Sequence, residues 1–206
     1  MTHDTPYATV RRADGEERQA VLDVLTEAFM NHSLIRWLFP EAGERGRLQR
    51  HFYRPLLAHP AAEAYLAGGR AGAAVWLTLT AGDQALSEDS FEPKAFGDSG
   101  ARLRALGEAL DPRHPREPHV YLPCMGVIGG QRGAGLGSAL LRHRLERADA
   151  DGLPTYLEAS STRSRALYLR HGFADLGEPV RVADAPPLWP MWRHAAQETA
   201  QEGENR

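Results

Sequence analysis

The stretch that most constrains this chain is GGQRGAGLGSALL, residues 129–141, because it joins a strand-like run to a helix through glycines. Before it, HVYLPCMGVI is apolar and rich in strand formers; after it, Leu136, Ala139, Leu140 and His143 recur at the helical period. The expected local structure is strand, glycine-rich turn, helix. Five glycines within residues 129–137 let the backbone approach another group closely. The helix start that follows offers unpaired N–H groups at the positive end of its dipole. Such an arrangement binds phosphate or another anion.

Three nucleotide-binding devices share this arrangement, and spacing separates them. A Walker loop needs a lysine after its second glycine, but Leu136 follows Gly135, so no lysine clamps a terminal phosphate. The dinucleotide fingerprint G-x-G-x-x-G, started at Gly133 and Gly135, has Ser138 at its third glycine position, and no repeating βαβ pattern surrounds it. The pattern that fits is R-x-x-G-x-G, from Arg132 through Gly135 to Gly137.

The rest of the chain supplies a domain around this segment. Its 206 residues, 42% of them hydrophobic, suffice to bury one core. A formal charge of −3, with acids and bases mixed along the chain, argues against a nucleic-acid partner. Cys124 is the single cysteine, which excludes an internal disulfide and leads to the expectation of a cytoplasmic setting. No cationic-then-apolar leader or bilayer-length apolar run stands out, so no membrane partner is expected. One cysteine and scattered histidines give no metal constellation.

In order, residues 7–10 read as a short strand and 16–31 as an amphipathic helix carrying Val21, Val24, Leu25, Ala28 and Phe29. HSLIRWLFP is apolar and stops at Pro40; a second helix spans 46–59, kinked at Pro55. Residues 62–66 and 73–80 form a hairpin. Residues 81–117 read as an insertion over one face, with a helix at 100–110. After the central segment come a strand at 154–159, a helix at 164–171 stopped by Gly172, and strands near 173–178 and 188–193. A single domain over 1–195 and a disordered tail at 196–206 are expected.

Arg132 to Gly137 after a strand ending at Val127, followed by LEASSTRSRALYLRHGF at 157–173, resembles the GNAT superfamily of acyl-CoA-dependent N-acyltransferases. EPHVYLPCMGV and YLEASSTRSRALYLRHGF are most similar to its puromycin N-acetyltransferase branch, over roughly the C-terminal half. The resemblance implies an α+β fold, an α/β/α sandwich. Its mixed, mostly antiparallel sheet would have about six to seven strands, with helices on both faces. It also implies acetyl-CoA as donor and no metal. The acceptor would be the primary amine of a small molecule, an aminonucleoside-like one among them, attacking directly in a ternary complex of a monomer or homodimer. A non-catalytic acyl-CoA sensor and a protein or peptide N-acetyltransferase are the alternatives.

By the same resemblance, the CoA pyrophosphate rests on backbone amides of Arg132, Gly133, Ala134, Gly135, Leu136, Gly137 and Ser138. Met125, Gly126 and Val127 pair with the pantetheine arm as an added strand would. Gly126 suits a bulge that splays the strand. Ser161 stands where the family often has Asn, with a shorter reach to the same arm. Tyr168 matches the general acid. At pH 7 a lysine-like amine is neutral in about one molecule in two or three thousand, a deficit of about 4.6 kcal/mol. Glu158 is the candidate base, with His119 and Tyr121 second. Phe29, Asn31, His32, Trp37, Tyr121 and Trp189 are candidates to line the acceptor pocket.

Overall fold

Alternating side chains on one buried strand set the layers of this protein. Val75 and Leu77 enter one core, and Ala74 and Trp76 enter another on the opposite face. A strand covered on both faces reads as a continuous apolar run, as GAAVWLTL does. The computed structural model describes residues 9–83 and 93–196. Its elements are β1 (Val10–Arg12), α1 (Glu17–Phe29), α2 (Ser33–Leu38), α3 (Ala42–Ala58), β2 (Ala62–Ala67), β3 (Gly72–Leu79) and α4 (Ser99–Leu110). There follow β4 (His119–Val127), α5 (Leu136–Ala150), β5 (Thr155–Ala159), α6 (Thr162–Arg170), β6 (Ala174–Asp175) and β7 (Trp189–Arg193).

The seven strands form one sheet in the order β1-β2-β3-β4-β5-β7-β6. Every pairing is antiparallel except β4 with β5, which α5 connects. This is the mixed, mostly antiparallel sheet with helices on both faces that the sequence leads one to expect. α1 and α3 pack Val21, Leu25 and Leu56 on one face. α5 packs Leu140 and Leu141 on the other, against Trp76, Leu157 and Met191. Each such side chain contributes about 1.5–3 kcal/mol on burial. A third cluster joins Ile35 and Leu38 of α2 to Leu103 and Leu106 of α4 and to Leu188.

Several boundaries differ from expectation for local reasons. HSLIRWLFP contains α2, whose start is capped by His32: its Nδ1 accepts the Leu34 N–H at 3.3 Å. α3 begins at Ala42, earlier than its apolar face suggests, and continues through Pro55. β1 starts at Val10; residues 7 and 8 of the expected strand lie outside the described residues. So do residues 84–92 of the 81–117 segment and residues 197–206 of the expected tail. Behind the sheet, Arg144 is 2% exposed. Its Nε donates to Glu63 Oε2 at 2.8 Å and its Nη2 to Thr78 Oγ1 at 3.0 Å, tying α5 to β2 and β3.

Candidate active site

The site begins where two parallel strands part. β4 and β5 pair at Val120 with Thr155, Tyr121 with Tyr156 and Leu122 with Leu157, and then stop. On the other side, β4 takes three residue steps from Tyr121 to Cys124 while β3 takes two between Leu77 and Val75. The extra residue falls at Leu122 and Pro123, and proline has no N–H for a ladder. The bulge expected at Gly126 is therefore found earlier, and Gly126 pairs regularly with Ala73. Glycine is needed there for a different reason. An added Cβ would lie 2.8 Å from Ala28 Cβ and 3.1 Å from Phe29 Cε2, at the end of α1. No β5 residue pairs with Met125, Gly126 or Val127, and all three line a cavity of about 510 Å3. That volume lies within the range of small-ligand sites.

The glycine loop closes one side of this cavity. Gly135 holds φ +81° at the helix start, a left-handed conformation that glycine adopts without strain. The first bond of the helix runs from Ala139 N–H to the Gly135 carbonyl at 2.9 Å. The N–H groups of Leu136, Gly137 and Ser138 lie in the first turn, ahead of that ladder. They fit an anionic phosphate. Arg132 is occupied elsewhere: its Nη2 donates to the Ala28 carbonyl at 2.8 Å and its Nε to the Val127 carbonyl at 3.2 Å. It ties the loop to the end of α1. Arg163 and Arg170 also line the cavity.

α6 lines the cavity next to the loop: a Cβ at Gly137 would lie 3.3 Å from Leu167 Cδ2. Ser161 Oγ accepts the Ser164 N–H at 3.1 Å, and Ser164 Oγ accepts the Ser161 N–H at 3.2 Å, a reciprocal cap. The Ser161 hydroxyl is thus engaged by its own helix while the residue lines the cavity. Tyr168 is the buried residue of α6 and packs its ring on Phe173. Burial, and then the neighbouring Cys124, raise its pKa above the ordinary phenol value. Burial likewise pushes the Cys124 thiol up to about 12, so it is no nucleophile at neutral pH.

Glu158, on β5, also lines the cavity. Burial pushes its carboxyl up to about 7, opposed by the hydrogen bond from Tyr121, whose hydroxyl donates to Oε2 at 2.8 Å. A carboxylate balanced near neutrality can both take and release a proton there. His32 faces Ser160, Nε2 to Oγ, at 3.4 Å; burial, then Arg132, lower its pKa, which keeps the ring neutral.

Of the residues expected at the site, all but Ala134, Asn31, Trp37, His119 and Trp189 line this one cavity. Asn31 and Ala134 are exposed. Trp37 instead donates its indole N–H to Asp184 Oδ1 at 2.7 Å, with the Arg102 guanidinium 5.6 Å from its ring. Trp189 pairs with Ala159 in the sheet and packs against the core on the α5 face. The remaining walls come from residues that sequence reasoning missed: Leu34, Ile35 and Leu38 of α2, Leu106 and Leu110 of α4, and Leu188. The helical spacing of Leu103, Leu106 and Leu110 marks an apolar face, but nothing local says what it covers.

Among the described residues no group of three or more His, Cys, Asp or Glu is arranged to hold a metal, and no helix is long and apolar enough to cross a membrane. The Acetyltransferase (GNAT) family model matches residues 99–173. A crystal structure described as histone acetyltransferase HPA2 and related acetyltransferase, from Corynebacterium glutamicum, is 30% identical over 93% of this chain and 98% of its own, with a TM-score of 0.69. Arylalkylamine N-acetyltransferase 2 from Aedes aegypti shares the fold at 14% identity, covering 91% of this chain and 99% of its own, TM-score 0.64. The ribosomal-protein-S18-alanine N-acetyltransferase from Escherichia coli does so at 16%, covering 94% and 97%, TM-score 0.54.

Proposed function

The chain belongs to the GNAT acetyltransferase family and is an acyl-CoA-dependent N-acetyltransferase, and we propose that its acceptor is the primary amine of a small, largely apolar molecule. The observation that carries this reading is the lining of the acceptor side. Leu34, Ile35, Leu38, Leu106 and Leu110 are apolar, and among the described lining residues Glu158 is the one carboxylate. Such walls suit a ligand with one amine and an apolar body. A basic polypeptide would call for an acidic groove of complementary potential. The solved relatives are named for arylalkylamine, histone and ribosomal-protein acceptors, which leaves both classes in play. The likeness of residues 157–173 to the puromycin N-acetyltransferase branch favours an aminonucleoside among apolar amines.

Acetyl-CoA, as donor, supplies a thioester carbonyl and a thiolate leaving group. Its phosphates fit the amides of Leu136, Gly137 and Ser138, and its pantetheine arm fits the edge of Met125, Gly126 and Val127 that β5 leaves without a strand partner. Glu158 takes the proton that the ammonium must lose before nitrogen can attack, and Tyr168 Oη provides a proton for the departing sulfur. The amide bond forms as the carbon–sulfur bond breaks, and the two proton movements balance. An acyl-CoA sensor would have no use for an ionisable carboxylate buried beside the slot.

The test is thiol release from acetyl-CoA with a panel of aryl- and alkylamines, aminonucleosides, and lysine-rich and N-terminal peptides. Turnover should be confined to the apolar amines and aminonucleosides. Turnover with the peptides alone would reverse the assignment, and CoA binding without any turnover would favour the sensor.

A further inference from the structure

His114 does not line the cavity; it stands behind Glu158, in the segment between α4 and β4. Its Nδ1 lies 3.9 Å from Glu158 Oε1, while Tyr121 holds Oε2. Its ring meets those of Tyr121 and Tyr156 edge-on at 4.8 and 4.9 Å. The hydrogen bonds around it determine where its proton sits. His119 Nδ1 is 2.7 Å from the Glu117 carbonyl, and a carbonyl only accepts, so His119 carries its proton on Nδ1. In the neutral ring, His119 Nε2 is then an acceptor. His114 Nε2, 3.2 Å away, must be its donor. The remaining nitrogen of His114, Nδ1, is left as a bare lone pair turned to Glu158.

We propose that His114 is a positioning residue that relays the proton collected by Glu158 out of the back of the site, away from the donor slot. This rests on Glu158 being the base. The Glu158 O–H bond breaks as an N–H bond forms at His114 Nδ1, returning Glu158 to its carboxylate. The His114 side chain is 16% exposed, so buffer base takes the proton from the imidazolium. A separation of 3.9 Å exceeds a direct hydrogen bond, so transfer needs closure by about 1 Å or one bridging water.

The groups that face His114 are Asp111 and Arg116 from its own segment, His119 and Tyr121 from β4, and Tyr156 and Glu158 from β5. Burial first, then His119 and Arg116, push its pKa down to about 4, opposed by Asp111. Against a Glu158 near 7, the imidazolium is a minority state of about one in a thousand. That suits a relay and rules out a reservoir.

The experiment uses the full chain as wild type, His114→Ala and His114→Phe, the last keeping a ring against Tyr121 and Tyr156. Histidine 15N spectra report the tautomer without any turnover: a proton on Nε2 with Nδ1 bare is expected, and a proton on Nδ1 would overturn the proposal. In dilute buffer, His114→Ala should lose roughly tenfold in kcat, less than loss of a direct acid or base, with the KM for amine unchanged. Added imidazole should restore His114→Ala, and leave wild type and His114→Phe unaffected. Wild-type kcat in His114→Ala, or a loss that imidazole does not restore, would contradict the relay. If wild type turned over no amine, the proposed acceptor reading would fail, while the tautomer spectra would still decide the arrangement at His114.

Discussion

Tyr121 on β4 donates its hydroxyl proton to Glu158 Oε2 on β5 at 2.8 Å, across the point where the two strands part. The bond opposes the effect of burial, which pushes the Glu158 carboxyl up to about 7. Removing the hydroxyl, as in Tyr121→Phe, leaves burial unopposed on that oxygen. A hydrogen bond to a charged group is worth about 1.5–3 kcal/mol, so the acid limb of kcat/KM should move alkaline by roughly one unit or more. A pH–rate profile of the variant checks this; a shift toward acid would show that the bond has the opposite role.

Glu158 also makes the protein less stable at neutral pH than in mild acid. Its folded pKa near 7 lies above the ordinary value of 4.5, so the folded state holds the proton more tightly. The corresponding stability is present below 4.5 and is lost as pH rises through 7. Glu158→Gln removes this dependence and should stabilise the fold at pH 8 by about 1–3 kcal/mol while lowering kcat/KM by roughly 10²–10⁴-fold. Denaturant unfolding at pH 5 and pH 8 measures the first effect and thiol release the second.

Gly126→Ala introduces a methyl 2.8 Å from Ala28 Cβ, and either α1 or β4 must move. Overpacking of this kind costs about 1–3 kcal/mol. Because Gly126 borders the edge that β5 leaves without a strand partner, CoA affinity should fall along with stability. Calorimetric titration with CoA, beside a thermal melt, separates the two.

Arg144→Ala removes the buried hydrogen bonds to Glu63 and Thr78 and should destabilise by about 1.5–3 kcal/mol for the charged bond alone. Glu63 keeps Arg147 Nη1 at 3.0 Å and Arg12 Nη1 at 3.5 Å, so adding Glu63→Gln should recover little of this. The double-mutant cycle in urea gives the coupling.

The central strands were legible in the sequence because β3 and β4 are buried on both or alternate faces, a pattern carried by the residues themselves. The glycine loop was legible because its spacing excludes its rivals. α2 was not, since six residues hold too little periodicity, and its start depends on the His32 cap. The bulge was misplaced because an isolated glycine signals a bulge and a close approach equally. Here the approach of Ala28 is the reason. Position along the chain alone points Trp37 and Trp189 to the acceptor pocket, whereas Trp37 bonds Asp184 and Trp189 packs on the sheet core. Leu106, Leu110 and His114 gained their roles only from how the segment after β3 folds back over α2 and β5.

The central claim is that Glu158 is the base for amine attack. The most direct measurement is the pH dependence of kcat/KM for an apolar primary amine, with wild type and Glu158→Gln compared under saturating acetyl-CoA. The account predicts an acid limb with an apparent pKa of about 7 in wild type, absent from the much weaker residual activity of Glu158→Gln. An identical limb and undiminished turnover in Glu158→Gln would contradict it.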